Sequence, residues 1–494
     1  MSTELKYNTL DEIQLIHSSL KAEFLKGRSK SVSFRKQQLS QLAHMVNDNL
    51  PRFSESLKQD LGRPEQEAFV NETAACLAEI TDVYNNVEKW AKDEGVPFDL
   101  SFALMKPKIR KVPKGVVLII GAFNYPAYLT LCPMASAIAA GNAVVVKTSE
   151  LSPATAALLS ELVPKYLDSS LYKIINGAIP ETTKLLELKW DHILYTGSSR
   201  VARIVAAAAA KHLTPLTLEL GGKSPVIVDP DFDLHLAAKR IAWGRFCNAG
   251  QTCVSPDYIL IPAEAQDQFV DALSDAINSF YPEGPSESKS YGRIVNDSHF
   301  QRIQTLMDDS KGELVIGGES DAAQKYIAPT VYKDVPFEDS LMSQEIFGPI
   351  IPIVPVKDLD EAIAYVNARD HPLALYLFTS NSQIKKKVLD NTQSGALSVN
   401  ETTLHLAVPG LPFGGIGESG YGQHTGKWGF DTFTHFRSTV DSPKFTEALL
   451  KNRYPPYTDS KMAFMKSFMV PRLPPRGGGR RPWFRHLFAA ILKN

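Results

Sequence analysis

The chain has 494 residues, 44% of them hydrophobic and 22% charged, with a formal net charge of -1. That length suggests two or three domains, and the balanced charge excludes a global attraction to nucleic acid or to an anionic membrane. Four cysteines, Cys76, Cys132, Cys247 and Cys253, with no C-x-x-C and no histidine at ligand spacing, argue against a structural zinc site and a disulfide framework.

The N-terminus, MSTELKYNTLDEIQ, is polar and lacks the apolar core of a secretory signal. No run of about 18 apolar residues predicts a membrane span, so a reducing compartment is expected. Residues 8–95 read as helices, because apolar residues recur at three- and four-residue steps. The rhythm then changes. GVVLIIG (115–121), AVVVK (143–147), YKIING (172–177) and HILYTG (192–197) are short, apolar and β-branched, with amphipathic or Ala-rich segments between them. This alternation predicts an α/β chain with a parallel sheet covered by helices on both faces. Ligands of such sheets sit at the carboxyl ends of the strands, where GAFNYP, KTSE and TGSS fall. A second α/β region follows LELGGKSPVIVD, holds FCNAGQTC and runs to about residue 400. The stretch 408–430 is too rich in Gly and Pro to predict regular structure, and from about 446 the chain reads as a tail.

Three motifs mislead. Gly415 to Gly420 match G-x-G-x-x-G, but Pro409 and Pro412 replace the strand that a dinucleotide fingerprint requires before it. GGKS (221–224) and TGKW (425–428) resemble the end of a phosphate loop, yet the leading glycine falls on Thr217 and Tyr421.

Other residues can carry chemistry. Cys253 follows the small Gly250 and is either core packing or a nucleophile. Glu219 ends an apolar strand, where a carboxylate is costly unless paired or functional, and a raised pKa there would suit a general base. Asn124 lies past the first strand, where its amide can serve as an oxyanion donor or make an Asx-turn. Lys147 and Glu150 end the next strand, placed for ribose hydroxyls or for a plain ion pair. Gly197, Ser198 and Ser199 open a helix, where free N–H groups favour a phosphate and where serine also caps.

GAFNYP, KTSE, LELGGKSP, NAGQTC, EIFGP and PFGGIGESG, in this order over about 110–440, resemble the landmarks of the aldehyde dehydrogenase superfamily. The short N-terminus, KHLTPLTLELGGKSP, GQTCVSPDY, HTGKWGFDTFTHFRS and RYPPYTDSK resemble its class 3, fatty-aldehyde-type branch. The resemblance implies a Rossmann-like cofactor domain over 1–219, with its helical part in 1–95 and its sheet from about 113. It also implies a catalytic α/β domain over 220–400, a bridging and oligomerisation segment over 401–445, and a tail over 446–494. It implies that Cys253 attacks the aldehyde, Asn124 and the Cys253 N–H hold the oxyanion, and Glu219 activates the hydrolytic water. Lys147 and Glu150 would hold the adenosine ribose. Gly197, Ser198, Ser199, Arg200, Val201 and Ala202 would meet the pyrophosphate, and Glu345 and Phe347 the nicotinamide side. NAD is the implied cofactor, with NADP as a second, because Glu150 would repel a 2′-phosphate. Thr148 and Ala202 depart from the family's usual proline and glycine.

Medium- or long-chain aldehydes are the expected substrates, and aromatic or apocarotenoid aldehydes the alternative. A CoA-acylating dehydrogenase, an esterase and a catalytically silent homologue are the competing readings. The resemblance implies a homodimer. Residues 471–494 carry Arg472, Arg476, Arg480, Arg481, Arg485 and Lys493 with no acid, and a helix there would align Phe484, Leu487, Phe488 and Ile491. That is the pattern of a membrane-surface helix, too short to span. It points to an intracellular protein at the cytoplasmic face of the endoplasmic reticulum, the mitochondrial outer membrane or a lipid droplet, or free in the cytoplasm.

Overall fold

A computed structural model describes residues 5–99, 102–470 and residue 473. The expected tail helix over 484–491 lies outside the described residues. Among the described residues, no helix is long and apolar enough to cross a membrane.

The N-terminal stretch folds into helices Leu10–Leu25, Val32–Asn47, Leu50–Leu61 and Ala75–Trp90. Thr9 starts the first one. Its hydroxyl accepts the Glu12 N–H at 3.2 Å and the Glu12 carboxylate accepts the Thr9 N–H at 2.9 Å, a reciprocal cap worth about 1 kcal/mol. A π-type turn, Phe69–Ala74, leads into the fourth helix.

The first sheet holds β1 (Val116–Ile120), β2 (Ala143–Lys147), β3 (Tyr172–Ile175), β4 (His192–Thr196) and β5 (Leu216–Glu219). Its order is β5-β4-β1-β2-β3, all parallel. Every residue of β1, β2 and β4 is buried, as strands covered by helices on both faces must be. Connections leave β1 and β4 in opposite directions, so a crevice opens between their carboxyl ends, where such sheets bind ligands. Lys147 pairs in register with Ile120, and Glu219 with Thr196, so the strand ends carrying candidate residues line one edge.

The second sheet holds β6 (Pro225–Val228), β7 (Tyr258–Pro262), β8 (Glu313–Ile316), β9 (Thr330–Lys333), β10 (Ile350–Val356), β11 (Ala374–Phe378) and β12 (Ala396–Val399). The order is β8-β9-β10-β7-β6-β11-β12, parallel except for β8 against β9. Its helices Leu234–Phe246 and Gln266–Phe280 contribute Ile241, Phe246, Phe269 and Leu273 to the core around it.

Both sheets belong to one compact unit, which takes in residues 5–92 and 111–436 of the described chain. The second unit is 93–110 with 437–470 of the described chain. Residues 401–436 stay with the sheets for a physical reason. Gly420–Tyr421 forms a short strand antiparallel to Leu218–Glu219, and helix Gly426–Thr432 follows it. A Cβ on Gly429 would sit 2.3 Å from Ser136 Oγ, so the helix packs at a distance only glycine permits. The stretch 408–430 therefore contains regular structure, held by β5 and not by its own propensity.

In the second unit, Glu94–Gly95 pairs antiparallel with Lys108–Ile109, and the Asp441 N–H donates to the Met105 carbonyl at 2.8 Å. Its last helix, Asp459–Met469, is capped by the Thr458 hydroxyl and leaves Met462 and Met469 exposed.

Candidate active site

The loop that carries Cys253 is built against backbone preference. Helix Leu234–Phe246 ends in a tight turn in which Asn248, Ala249 and Gly250 all have left-handed φ, at 54°, 52° and 76°. Asparagine and glycine tolerate that region, and alanine pays about 1–2 kcal/mol for it. A Cβ on Gly250 would lie 2.2 Å from the Gly348 carbonyl oxygen. Glycine there lets the 345–349 segment close on the loop and brings Glu345 within electrostatic reach of the Cys253 thiol.

Three ionisable groups meet at this point. The Cys253 thiol is partly buried and is pushed up to about 12, by desolvation first and then by the negative charges of Glu345 and Glu219. The N–H groups of Cys253 and Val254 point at the sulfur and oppose that shift. Glu219, 1% exposed, is driven well above the carboxylate range by burial alone. Neither of its oxygens meets a hydrogen-bond donor of the described protein. A buried, unpaired carboxyl on a strand end is costly, which makes Glu219 a candidate for chemistry. Burial raises Glu345 to about 8 despite a bond from the Gly222 backbone. A Cβ on Gly221 would fall 2.3 Å from Glu345 Oε2, so the glycine pair after Glu219 makes room for this carboxyl.

Asn124 is 3% exposed, and its Nδ2 donates to the Gln251 carbonyl at 3.1 Å. An amide has two N–H groups. This bond uses one of them. Phe347 sits edge-on to Phe123, with ring centroids 5.8 Å apart. Arg302 donates to the carbonyls of Glu345 and Ile346 at 3.2 and 2.6 Å and fixes that segment.

Lys147 and Glu150 form an ion pair at 2.8 Å, with side-chain exposures of 4% and 33%. Thr148, in place of the family's proline, donates its N–H to Ile175 at 3.2 Å and its hydroxyl to Asn176 at 2.7 Å, so the turn stays ordered. Asn8 joins Asn176 through backbone and side-chain bonds of 3.0 Å, and the hydroxyl of Tyr7 is raised by burial and then by Glu150 and Glu181. Ser198 caps helix Ser199–Ala210. Its first turn exposes Ser199 and Arg200, half-buries Val201 and buries Ala202 at 2% exposure. Gly197 leads into it, and any Cβ there would strike the Tyr195 hydroxyl at 2.3 Å. A switch-point crevice, a polar pair at one strand end and a capped helix start at another fit a dinucleotide, with the diphosphate on the helix and the ribose at Lys147 and Glu150.

The look-alike motifs have structural duties. Lys223 of GGKS pairs with Asp257 and donates to the carbonyls of Leu341 and Gln344 at 2.7 and 3.1 Å. Asp257 also accepts from Arg245 and from the Ile346 N–H, each at 3.1 Å, which ties the chain after Cys253 to the Glu345 segment. Ser419 of the glycine-rich stretch accepts the Leu220 N–H at 3.1 Å and backs the strand end at Glu219.

Sequence reasoning missed Arg63, Glu67, Glu72, Tyr125 and Gln251. Arg63 and Glu72 form a fully buried ion pair at 2.8 Å. Glu67 accepts the Asn248 N–H at 2.9 Å, and Gln251 Nε2 donates to the Arg293 carbonyl at 2.9 Å. The available signal was a cluster of one arginine and four acids in DLGRPEQEAFVNE, within a stretch read simply as helical.

Residues 3–439 match the family model described as aldehyde dehydrogenase family. Rat "Aldehyde dehydrogenase, dimeric NADP-preferring" (Rattus norvegicus) is 48% identical over 88% of this chain and 95% of that protein. Rat "Aldehyde dehydrogenase family 3 member A2" is 47% identical over 91% of this chain and 93% of its own length. Among solved structures, the substrate-bound state of Staphylococcus aureus AldH superposes with a TM-score of 0.90 at 40% identity, covering 93% of this chain and 99% of that one.

Proposed function

The chain belongs to the aldehyde dehydrogenase family and oxidises aldehydes to carboxylic acids with a nicotinamide dinucleotide, and from that premise we propose that Cys253 is its nucleophile and medium- or long-chain apolar aldehydes its substrates. One observation carries the assignment of residues. Glu219 is buried with both oxygens unpartnered among the described residues, within electrostatic reach of the Cys253 thiol.

Cys253 gives up its thiol proton to water, its Sγ bonds the aldehyde carbon, and the carbonyl π pair moves to oxygen, which leaves the oxyanion of a thiohemiacetal. The free N–H of Asn124 and the backbone N–H of Cys253 donate to the oxyanion, an electrostatic effect worth about 3–4 kcal/mol per donor in such sites. The dinucleotide, when bound, supplies the hydride acceptor. A thioester remains on sulfur, and Glu219 takes the proton from the water that hydrolyses it. Burial disfavours the charged form of Glu219 and raises its pKa well above the carboxylate range, so the step uses a carboxylate that the site forms against desolvation. Glu345 and Phe347 orient the nicotinamide end, Lys147 and Glu150 the ribose, and residues 197–202 the diphosphate. The carboxylate of Glu150 favours NAD, with NADP as a second cofactor. In this reading the first sheet binds the dinucleotide and the second carries the nucleophile.

The fatty-aldehyde preference, a homodimer and an intracellular place at a membrane surface complete the proposal. The word dimeric in a relative's name supports the second, and the acid-free basic tail supports the third. The reaction is tested by NADH absorbance over a chain-length series of aldehydes, with wild type beside Cys253→Ala. Turnover rising toward long chains and lost in the variant is expected. Turnover that favours short chains overturns the substrate class, and an active variant overturns the nucleophile. Acid as product, with no acyl-CoA when coenzyme A is added, separates hydrolysis from acyl transfer. Co-sedimentation with anionic vesicles that is lost on truncation after residue 470 is the expected result for the tail.

A further inference from the structure

Arg63 follows helix Leu50–Leu61 and is 1% exposed, a costly place for a guanidinium unless its fork is filled. It is filled by three separate segments. Nε donates to Asn248 Oδ1 at 3.2 Å, Nη1 to Glu72 Oε1 at 2.8 Å, and Nη2 to the backbone carbonyl of Asn124. The guanidinium plane lies 4.5 Å over the Tyr125 ring, and the Tyr125 hydroxyl bonds Thr252 Oγ1 at 2.7 Å. Asn248 closes the circuit, because its Nδ2 donates to the carbonyls of Asn124 and Gln251 at 3.0 and 3.1 Å. Glu72 carries the frame onward by accepting the Tyr128 N–H at 2.7 Å, at the start of the helix that follows Asn124.

The circuit joins the strand end that presents Asn124 to the strained loop that presents Cys253. Three successive left-handed residues persist only where their surroundings over-determine them, and Asn248, the first of them, is the residue Arg63 grips. We propose that Arg63 is a positioning residue, which acts through Asn124 and Asn248 to hold the oxyanion donor and the nucleophile at the spacing that the thiohemiacetal requires. The inference rests on the reading of Asn124 as oxyanion donor and Cys253 as nucleophile. Lysine keeps the charge opposite Glu72 but, as a point donor, cannot serve three acceptors in one plane.

The test is a double-mutant cycle on the full-length enzyme with Arg63→Lys, Asn124→Ala and the pair, reading kcat at saturating aldehyde and NAD. Arg63→Lys lowers kcat about 30-fold, within the range for sub-ångström misplacement, and leaves the KM for NAD within about 2-fold. In the Asn124→Ala background the same change costs less than about 3-fold, because the group through which Arg63 acts is gone. Alkylation of Cys253 by iodoacetamide, which develops no oxyanion, stays within about 3-fold of wild type. Equal costs in both backgrounds, or a folded Arg63→Lys enzyme with wild-type kcat, overturns the inference. Wild-type kcat in Asn124→Ala overturns the donor reading beneath it. Should Arg63→Lys fail to fold, Arg63→Met combined with Glu72→Gln removes both buried charges and enters the same cycle.

Discussion

Glu219→Gln separates what burial does to this carboxyl from what the carboxyl does to the reaction. In the fold its pKa is raised well above the ordinary 4.5 by desolvation, while in the unfolded chain it titrates normally. A group whose folded pKa is raised stabilises the fold fully below the unfolded value and loses that contribution as pH rises toward the folded one. The wild type therefore loses stability relative to the glutamine variant from about pH 5 upward, at about 1.4 kcal/mol per pH unit while the folded carboxyl keeps its proton. Between pH 5.5 and 7.5 the difference moves in favour of the variant, by at most about 2.7 kcal/mol, the ceiling set by about 1.4 kcal/mol per pH unit. For a chain of 494 residues that ceiling is roughly 2–3 °C in Tm. Differential scanning fluorimetry of both proteins at the two pH values reads it directly, since other titrating groups are shared and cancel. A Tm difference that does not change with pH would mean that Glu219 titrates like an exposed carboxylate, and the account of its burial would fall.

Three further outcomes follow from the same geometry. Gly250→Ala places a Cβ 2.2 Å from the Gly348 carbonyl at a φ of 76°, so it should cost about 3 kcal/mol or more and most of the turnover; an unchanged Tm refutes the close approach. With the thiol pushed up to about 12, Cys253 alkylation by iodoacetamide without cofactor should rise roughly tenfold per pH unit from 6 to 9, and a plateau near pH 7 would contradict it. Lys147→Met should raise the KM for NAD about 10-fold with kcat within about 3-fold, because ribose binding is shared by ground and transition states; an unchanged KM removes Lys147 from the cofactor site.

The strands of the first sheet were legible because strands buried on both faces are written as uninterrupted β-branched runs, and VVLII and AVVVK can hardly be read otherwise. Asn124 was legible only as an alternative between a turn and a donor. The bond from its amide to Gln251, 127 residues away, decides how that amide is aimed. Arg63 was illegible for a similar reason. Its partner Asn248 lies 185 residues along the chain, and no local pattern distinguishes a forked, buried arginine from one on a solvated helix. The glycine- and proline-rich stretch misled in the opposite direction, since its short strand and helix exist only because β5 and Ser136 receive them.

The most direct measurement is mass spectrometry of the Glu219→Gln enzyme, mixed with NAD and dodecanal and quenched in acid. If Cys253 carries the acyl group and Glu219 drives its hydrolysis, a dodecanoyl adduct accumulates on the peptide bearing Cys253 while steady NADH production is lost. An adduct on Cys247, or steady turnover with no adduct, would contradict the account.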